Sequence, residues 1–499
     1  MLTEKPSTDA LSIELFLSPA GTRGQALPRG LGVEALAEAA EGVSADADTV
    51  PVSHVDPGGD PSSLRDQGWG VIVPQDEAGD RLLALARPLL DRRAEDQELD
   101  VADMRIYRVR PDMSAAEATD WIDRQLVANN PQDAIPGYLL VLGRPEQVSF
   151  ELQQALAGQF HVGRLGFGSD AGYEAYLAKL LASERAPAGG LARAVYFTAR
   201  DGTPATELGH RLLMRPCVAD AEQLRAKQRF AASEIAAIED EDDPARAADR
   251  LLAAAGGPAV LFSCSHGAGS PPDGWRSPDE QRALQGGLCL GKGQLLPPEA
   301  VSGSAFLAGG VWLMFACFGA GTPKHSVYHP WLTRLARHGA FSADVAPVLR
   351  SLPGEREPPF LAALPSAALA NPDGPLAVIS HLDLAWSYGF YDLDKRSRGE
   401  RHRRFHDLVA QLVKGSRVGL ALSGSLAWAR SRVKDAIVNA ASAAANAPPD
   451  AADPGQDARL GHRWMALQDL AGYIVLGDPA ARMAVTPPAR RRAGTPAAT

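Results

Sequence analysis

The chain has little cysteine, no long uninterrupted apolar run and no excess of positive charge. Its 499 residues hold four cysteines, Cys217, Cys264, Cys289 and Cys317. They are too few and too scattered for the disulfide framework of a small secreted scaffold, so a reducing, cytoplasmic setting is expected. The longest apolar run, around Ser304 to Phe318, is interrupted by glycines and is too short to span a bilayer. Met1-Leu2-Thr3-Glu4-Lys5-Pro6 shows no basic stretch leading into an apolar core, and no secretory signal is expected from it. A formal charge of −10 announces no basic face, which argues against a nucleic-acid partner. No internal repeat is visible. Apolar content of 45% and charged content of 22% are ordinary for a globular protein, so the length suits two or three domains or one large α/β unit with insertions.

The informative stretch runs from Pro258 to Gly321. It opens on the apolar run Ala259-Val260-Leu261-Phe262-Ser263, which breaks at Ser265-His266-Gly267. It closes on Val311-Trp312-Leu313-Met314-Phe315, which breaks at Ala316-Cys317-Phe318-Gly319. Each run has strand length and is flanked by glycine or proline, the pattern of a buried parallel strand. In open α/β sheets ligands bind beyond the carboxyl ends of the strands, where loops present side chains on a rigid base. His266 and Cys317 would both emerge there. A cysteine that ends an apolar strand is on its own more often a packing residue than a nucleophile. Two strands, each ending in a reactive residue near glycine, point instead to a Cys–His dyad or its degenerate descendant.

A histidine 51 residues before an Ala-Cys-x-Gly resembles the arrangement in clan CD cysteine peptidases, the caspase-like group with gingipains and bacterial CHAT domains. Phe315 stands where caspases have glutamine, which places the chain nearer the gingipain and CHAT side. The Val162-Gly163-Arg164-Leu165 segment and Gly477-Asp478-Pro479 near the C-terminus also resemble that group, and the Ala-, Arg-, Gly- and Pro-rich composition looks bacterial. The resemblance implies an α/β fold, a mostly parallel caspase-like sheet with helices on both faces and a smaller α/β subdomain before it. It implies a cysteine endopeptidase acting on a protein or peptide, with Cys317 as nucleophile and His266 as general acid and base. Backbone N–H groups of Gly267 and Cys317 would hold the oxyanion. No cofactor and no metal are implied; a zinc site from Cys264, His266, Cys289 and Cys317 lacks the close paired spacing of structural zinc. The alternative is a catalytically silent caspase-like domain used for recognition or scaffolding. A regulatory protein partner is conceivable by analogy.

Along the chain, residues 1–66 read as an irregular segment, with loop from Asp46 to Asp66. Residues 67–185 read as the α/β scaffold subdomain, 186–400 as the catalytic domain, 401–486 as helices and a last strand completing it, and 487–499 as a disordered tail. Within these, Trp69 to Pro74, Arg105 to Val109, Pro136 to Gly143 and Ala192 to Thr198 have strand character. Pro88 should kink or shorten the helix over Asp80 to Asp91, and Ser114 with Glu117 has the spacing of a capping box. The acidic run Glu239 to Asp243 precedes a helix whose positive end it would complement; a Ca²⁺ loop is disfavoured by its ligand spacing. Asn446 to Asp457 reads as a linker. The strand Pro375 to Ser380 ends in His381-Leu382-Asp383-Leu384-Ala385-Trp386. By resemblance this segment, His381 included, lines the pocket for the residue before the scissile bond (P1), with Trp386 as a wall and Asp383 pairing with a basic P1. Against that stands the plainer reading, in which Asp383 caps the next turn and Trp386 fills the core.

Overall fold

The computed structural model describes residues 12–32, 35, 59–129, 135–239, 243–254, 257–337, 346–354, 357–391, 401–445 and 456–486. The apolar runs form strands because each can bury both faces. In chain order the strands that matter here are β1 (Leu17–Pro19), β2 (Trp69–Pro74), β3 (Arg105–Val109), β4 (Tyr138–Leu142), β5 (His161–Leu165) and β6 (Ala192–Thr198). They continue as β7 (Ala232–Ile238), β8 (Ala259–Cys264), β9 (Gly267–Gly269), β10 (Val311–Phe315), β11 (Ala377–His381) and β12 (Tyr473–Gly477). Ten of them make one sheet in the order β3-β2-β4-β5-β12-β11-β10-β8-β6-β7.

Every neighbouring pair in this sheet is parallel except β11 with β12. Two five-stranded parallel halves therefore run in opposite directions and meet at that one antiparallel seam. The smaller α/β unit expected before the dyad is present as β2 to β5, and it joins the same sheet through the last strand. Helices cover both faces, as alternation along the strands demonstrates: Val71, Val73, Leu140 and Leu142 pack into one apolar cluster, while Ile72, Leu139 and Val141 pack into another. The edge strands β3 and β7 expose Arg105, Arg108, Ser233 and Glu234, which keeps the sheet ends polar.

Local chemistry sets the helix boundaries. A helix over Glu77–Leu85 stops at Ala86, and α1 (Arg87–Gln97) restarts with Pro88 in its first turn, where the missing N–H costs nothing. Ser114 and Glu117 form the full reciprocal capping box. The further helices used below are α2 (Asp170–Arg185), α3 (Pro204–Gly209), α4 (Arg403–Val413) and α5 (Gln456–Ala471). Of the acidic run, residues 240–242 lie outside the described residues; Asp243 accepts from the N–H groups of Ala245 and Arg246 and so caps the following helix. The expected linker Asn446 to Asp457 lies outside the described residues as far as 455 and is helical from Gln456. The expected loop is described only from 59, and its last residues are helical instead, in a short helix (Leu64–Gln67) capped by Ser63, which accepts from the Asp66 N–H; the tail from 487 is not described. Strand β7 was not expected, because Ala232-Ser233-Glu234-Ile235-Ala236 carries too little apolar alternation to announce an edge strand. No helix among the described residues is long and apolar enough to cross a membrane.

Gly477-Asp478-Pro479 is an anchor between layers. Asp478 is fully buried and accepts from Trp69 Nε1 at 3.1 Å and from Arg93 Nε and Nη2 at 3.1 and 2.7 Å. Its backbone N–H donates to Tyr176 at 2.8 Å, and Arg93 also pairs with Glu184 at 2.6 Å. Thus the end of β12 is tied to β2, α1 and α2. Removing one partner of a buried ion pair costs about 3–5 kcal/mol. Asp478→Ala is expected near the lower end, about 3 kcal/mol by urea unfolding, because Glu184 still neutralises Arg93; a loss below about 0.5 kcal/mol would contradict this role.

Candidate functional site

Strands β8 and β10 pair residue for residue, from Val260 with Val311 to Cys264 with Phe315. His266 and Cys317 each lie two residues beyond the last pair, so the register delivers both to one end of the sheet. Ser265 N–H extends the pairing by one bond, to Phe315 O at 3.1 Å. Gly267 then packs directly on the cysteine's peptide: a Cβ at 267 would stand 1.8 Å from the Cys317 carbonyl oxygen. That approach by itself requires glycine. Past Cys317 the chain turns through Phe318 at φ 55°, a left-handed conformation that costs a bulky residue roughly 1–2 kcal/mol. The Phe318 N–H donates to Asp383 O at 2.9 Å, which helps hold the turn.

His266 is fully buried and tied to two residues for which the sequence gave no role. Its Nε2 lies 2.8 Å from Thr203 Oγ1 and 3.7 Å from Asp201 Oδ2. Thr203 caps α3, and its hydroxyl lies 2.8 Å from Asp201 Oδ1, which also takes the Thr206 hydroxyl at 2.7 Å. A carboxylate oxygen only accepts, so the Thr203 proton goes to Asp201 and His266 Nε2–H donates to Thr203. His266 Nδ1 is then the unprotonated nitrogen, and it has no hydrogen-bond partner among the described residues. Burial pushes the imidazole pKa down, against the opposing charge of Asp201. The Cys317 thiol is pushed well above its ordinary value, chiefly by burial, although Ala385 N–H donates to its Sγ at 3.1 Å. Burial thus favours the neutral form of both groups.

The dryness has a source in the chain itself. Residues 13–19 lie across the site, and the Phe16 carbonyl accepts from Gly267 N–H at 2.9 Å and from Cys317 N–H at 3.3 Å. On one side Phe16 N–H donates to Ala385 O at 3.0 Å, Ser387 N–H donates to Glu14 O at 3.0 Å, and Leu15 bridges Trp386 in antiparallel sense. On the other side β1 runs parallel to β9, Leu17 opposite Gly267. The Phe16 ring sits edge-on to Phe315 at 4.8 Å and to Phe390 at 6.0 Å, and 6.0 Å from the His266 ring. Its far edge meets Gly209 of α3, where a Cβ would lie 3.1 Å from the ring. Leu15 and Phe16 are wholly buried, and each contributes about 1.5–3 kcal/mol to holding the segment in place. Reciprocal bonds between Ile13 and Leu31 at 2.9 Å close it into a loop.

The expected pocket segment forms the wall on which Leu15 and Phe16 lie, but its named side chains turn to the protein itself. His381 is buried with Nδ1 2.9 Å from Asp383 O and Nε2 2.9 Å from Asp469 O, and burial pushes its pKa down to about 4. Asp383 accepts from Ser326 Oγ at 2.9 Å, Val327 N–H at 3.1 Å and Leu384 N–H at 2.7 Å. Burial pushes that carboxyl up to about 6. It fastens the 326–327 turn to the wall and caps its own turn. Trp386 packs edge-on against Tyr328 and Trp331, fully buried. A separate cleft of about 560 Å³, lined by Arg144, Gly166, Ser169, Arg282 and Phe360, contains none of these residues.

Asp469 on α5 braces the wall from behind, accepting from Trp386 N–H at 2.8 Å. Burial pushes its carboxyl up to about 8, far above the ordinary 3.8. Between those values the folded chain keeps a proton that the unfolded chain gives up, so this group makes stability fall as pH rises from about 4 to about 8, by up to about 1.4 kcal/mol per pH unit. Asp469→Asn keeps an acceptor for Trp386 and removes the titration. Its urea-unfolding stability relative to wild type should therefore rise with pH across that window; a difference that is flat with pH would contradict the assignment.

No family model matches the chain, and no curated protein matches it. Among solved structures it is similar to one described as the structure of a protease, at 11% identity over 83% of this chain and 78% of that one, TM-score 0.46. It is similar to the crystal structure of the Arg-specific cysteine proteinase gingipain R, at 12% identity over 84% and 78%, TM-score 0.40. A third is the complex of Porphyromonas gingivalis RgpB pro- and mature domains, at 11% identity over 83% and 80%, TM-score 0.42.

Proposed function

We propose that the chain is a cysteine endopeptidase held in a latent form, acting on a protein or peptide substrate once residues 13–19 leave the site. The observation that carries this is the convergence of two backbone N–H groups, of Gly267 and Cys317, on one peptide carbonyl, with one of the two amides belonging to the cysteine itself. Two donors aimed at one carbonyl oxygen are what a tetrahedral oxyanion requires. In the reaction His266 Nδ1 takes the Cys317 thiol proton, and the thiolate sulfur bonds to the substrate carbonyl carbon while its oxygen gains the charge. His266 Nδ1–H then protonates the leaving amine as the C–N bond breaks, which leaves a thioester. Water, deprotonated by the same nitrogen, attacks that thioester and releases the acid and the thiol. Thr203 and Asp201 fix the ring and its tautomer, in the way a third residue orients the base in other nucleophile–base pairs. These steps use only the groups named.

Latency follows from the occupant. A thiol and an imidazole that are dry and neutral do not form the reactive ion pair, and the oxyanion donors are already engaged. A regulatory protein partner that binds the 12–32 loop would be one means of release. The basic P1 preference expected from Asp383 has little support in its surroundings, since both carboxylate oxygens are engaged within the protein. The observation that favours a silent recognition domain is that His266 and Cys317 are both wholly buried under chain residues.

The test is cleavage of a mixed peptide library by wild type and by the Phe16→Gly protein, each with and without Cys317→Ala, with new N-termini read by mass spectrometry. Cleavage that disappears with Cys317→Ala and falls about 10²–10⁴-fold with His266→Ala supports the peptidase. Cleavage unchanged by Cys317→Ala sinks it, and no cleavage by either starting protein favours the silent domain. Asp383→Ala is expected to reduce cleavage of all substrates alike, through the wall; selective loss after Arg and Lys would restore Asp383 as the reader of P1.

A further inference from the structure

We infer that the site selects an aromatic or large apolar residue at P1, and that Phe315, Phe390 and Gly209 set this preference. The inference rests on the peptidase reading for the word P1, but the pocket itself is defined by what fills it. Phe16 is the residue whose carbonyl meets the two amides, so its side chain occupies the place a P1 side chain would take. That side chain packs on Phe315 edge-on at 4.8 Å, Phe390 edge-on at 6.0 Å and the His266 ring at 6.0 Å, with Gly209 and Cys264 beneath, so its surroundings are mainly apolar.

Phe315 is two residues before the nucleophile on β10 and faces Phe390 at 5.5 Å and Phe405 of α4 at 5.8 Å, so the pocket floor continues into the aromatic core. Charge has no place in it. The carboxylate proposed to read a basic side chain, Asp383, is engaged with Ser326, Val327 and Leu384. A guanidinium or carboxylate pushed against the Phe315 and Phe390 rings would lose its hydration without a partner. Gly209 fixes the depth, because any Cβ there would lie 3.1 Å from the Phe16 ring and 2.8 Å from Cys264 Sγ. The occupant also presents Leu15 at P2, buried beside Trp386.

The intact chain can report this preference without any turnover, because a well-seated residue 16 shields Cys317 from alkylation. Wild type and the full-length variants Phe16→Leu, Phe16→Arg, Phe16→Asp and Phe16→Gly are treated with iodoacetamide, and Cys317 labelling is followed by peptide mapping. Circular dichroism and labelling of the core residue Cys217 check that each variant is folded. Leu is expected to label as slowly as Phe, whereas Arg, Asp and Gly label at least about tenfold faster at Cys317 with Cys217 still protected. Arg or Asp shielding as well as Phe overturns the inference. So does a rate that does not depend on residue 16.

If a charged variant fails to fold, Phe315→Gln in the wild-type chain is the second reading. A polar floor under the ring should raise Cys317 labelling about tenfold, and unchanged labelling overturns the pocket assignment. Library cleavage by Phe16→Gly separates the two claims. Cleavage after Phe, Leu or Met supports both. Labelling in the expected order without any cleavage removes the peptidase and leaves the pocket, while cleavage chiefly after Arg, Lys or Asp overturns the pocket and leaves the peptidase.

Discussion

The register between β8 and β10 is the constraint on which the site depends. Five residue pairs, Val260–Val311 to Cys264–Phe315, bring His266 and Cys317 to the same height at the strand ends. A slip of one residue would turn every side chain of the strand to the opposite face of the sheet, separating Phe315 from the pocket and moving the Cys317 amide off the Gly267 amide. The close contact between Gly267 and the Cys317 peptide leaves no latitude, since even a methyl group at 267 has no room. The left-handed Phe318 and the engaged Asp383 are local consequences of turning the chain sharply after Cys317.

Occupation by the chain's own residues gives the site its present chemistry. With Phe16 O between the two amides, the Cys317 thiol and the His266 imidazole are fully buried, and burial shifts both toward their neutral forms. The same burial supplies the energy that holds the segment. Hydrogen bonds to the Ala385 carbonyl and from the Ser387, Gly267 and Cys317 N–H groups satisfy its backbone, and Leu15 and Phe16 fill apolar space. The latency, oxyanion geometry and P1 preference proposed above are thus three readings of one set of contacts. They would change together if the segment left.

Much of the scaffold was legible because apolar runs bounded by glycine and proline leave few alternatives to buried strands. The two strand-end residues, Pro88 and the Ser114–Glu117 box follow from local rules that tertiary packing here reinforces. The pocket side chains were harder. His381, Asp383 and Trp386 sit at a strand end and look available in sequence, but whether a side chain faces a cavity or its own turn depends on neighbours such as Ser326 and Asp469, distant in the chain. Asp201 and Thr203 carried only the signal of an N-cap before Pro204. The segment Ser12-Ile13-Glu14-Leu15-Phe16-Leu17-Ser18 has strand length and apolar weight, a signal that could have separated it from the irregular residues around it. Its destination could not be read, because β1 pairs with β9 across some 250 residues of chain.

The most direct measurement is covalent trapping with a peptidyl acyloxymethyl ketone ending in Glu-Leu-Phe, applied to the full-length Phe16→Gly protein, with the modified residue located by mass spectrometry. The account predicts a single thioether at Cys317, absent at Cys217, Cys264 and Cys289 and strongly reduced by His266→Ala. Adduct formation at another cysteine, or at Cys317 with a rate indifferent to His266, would contradict it.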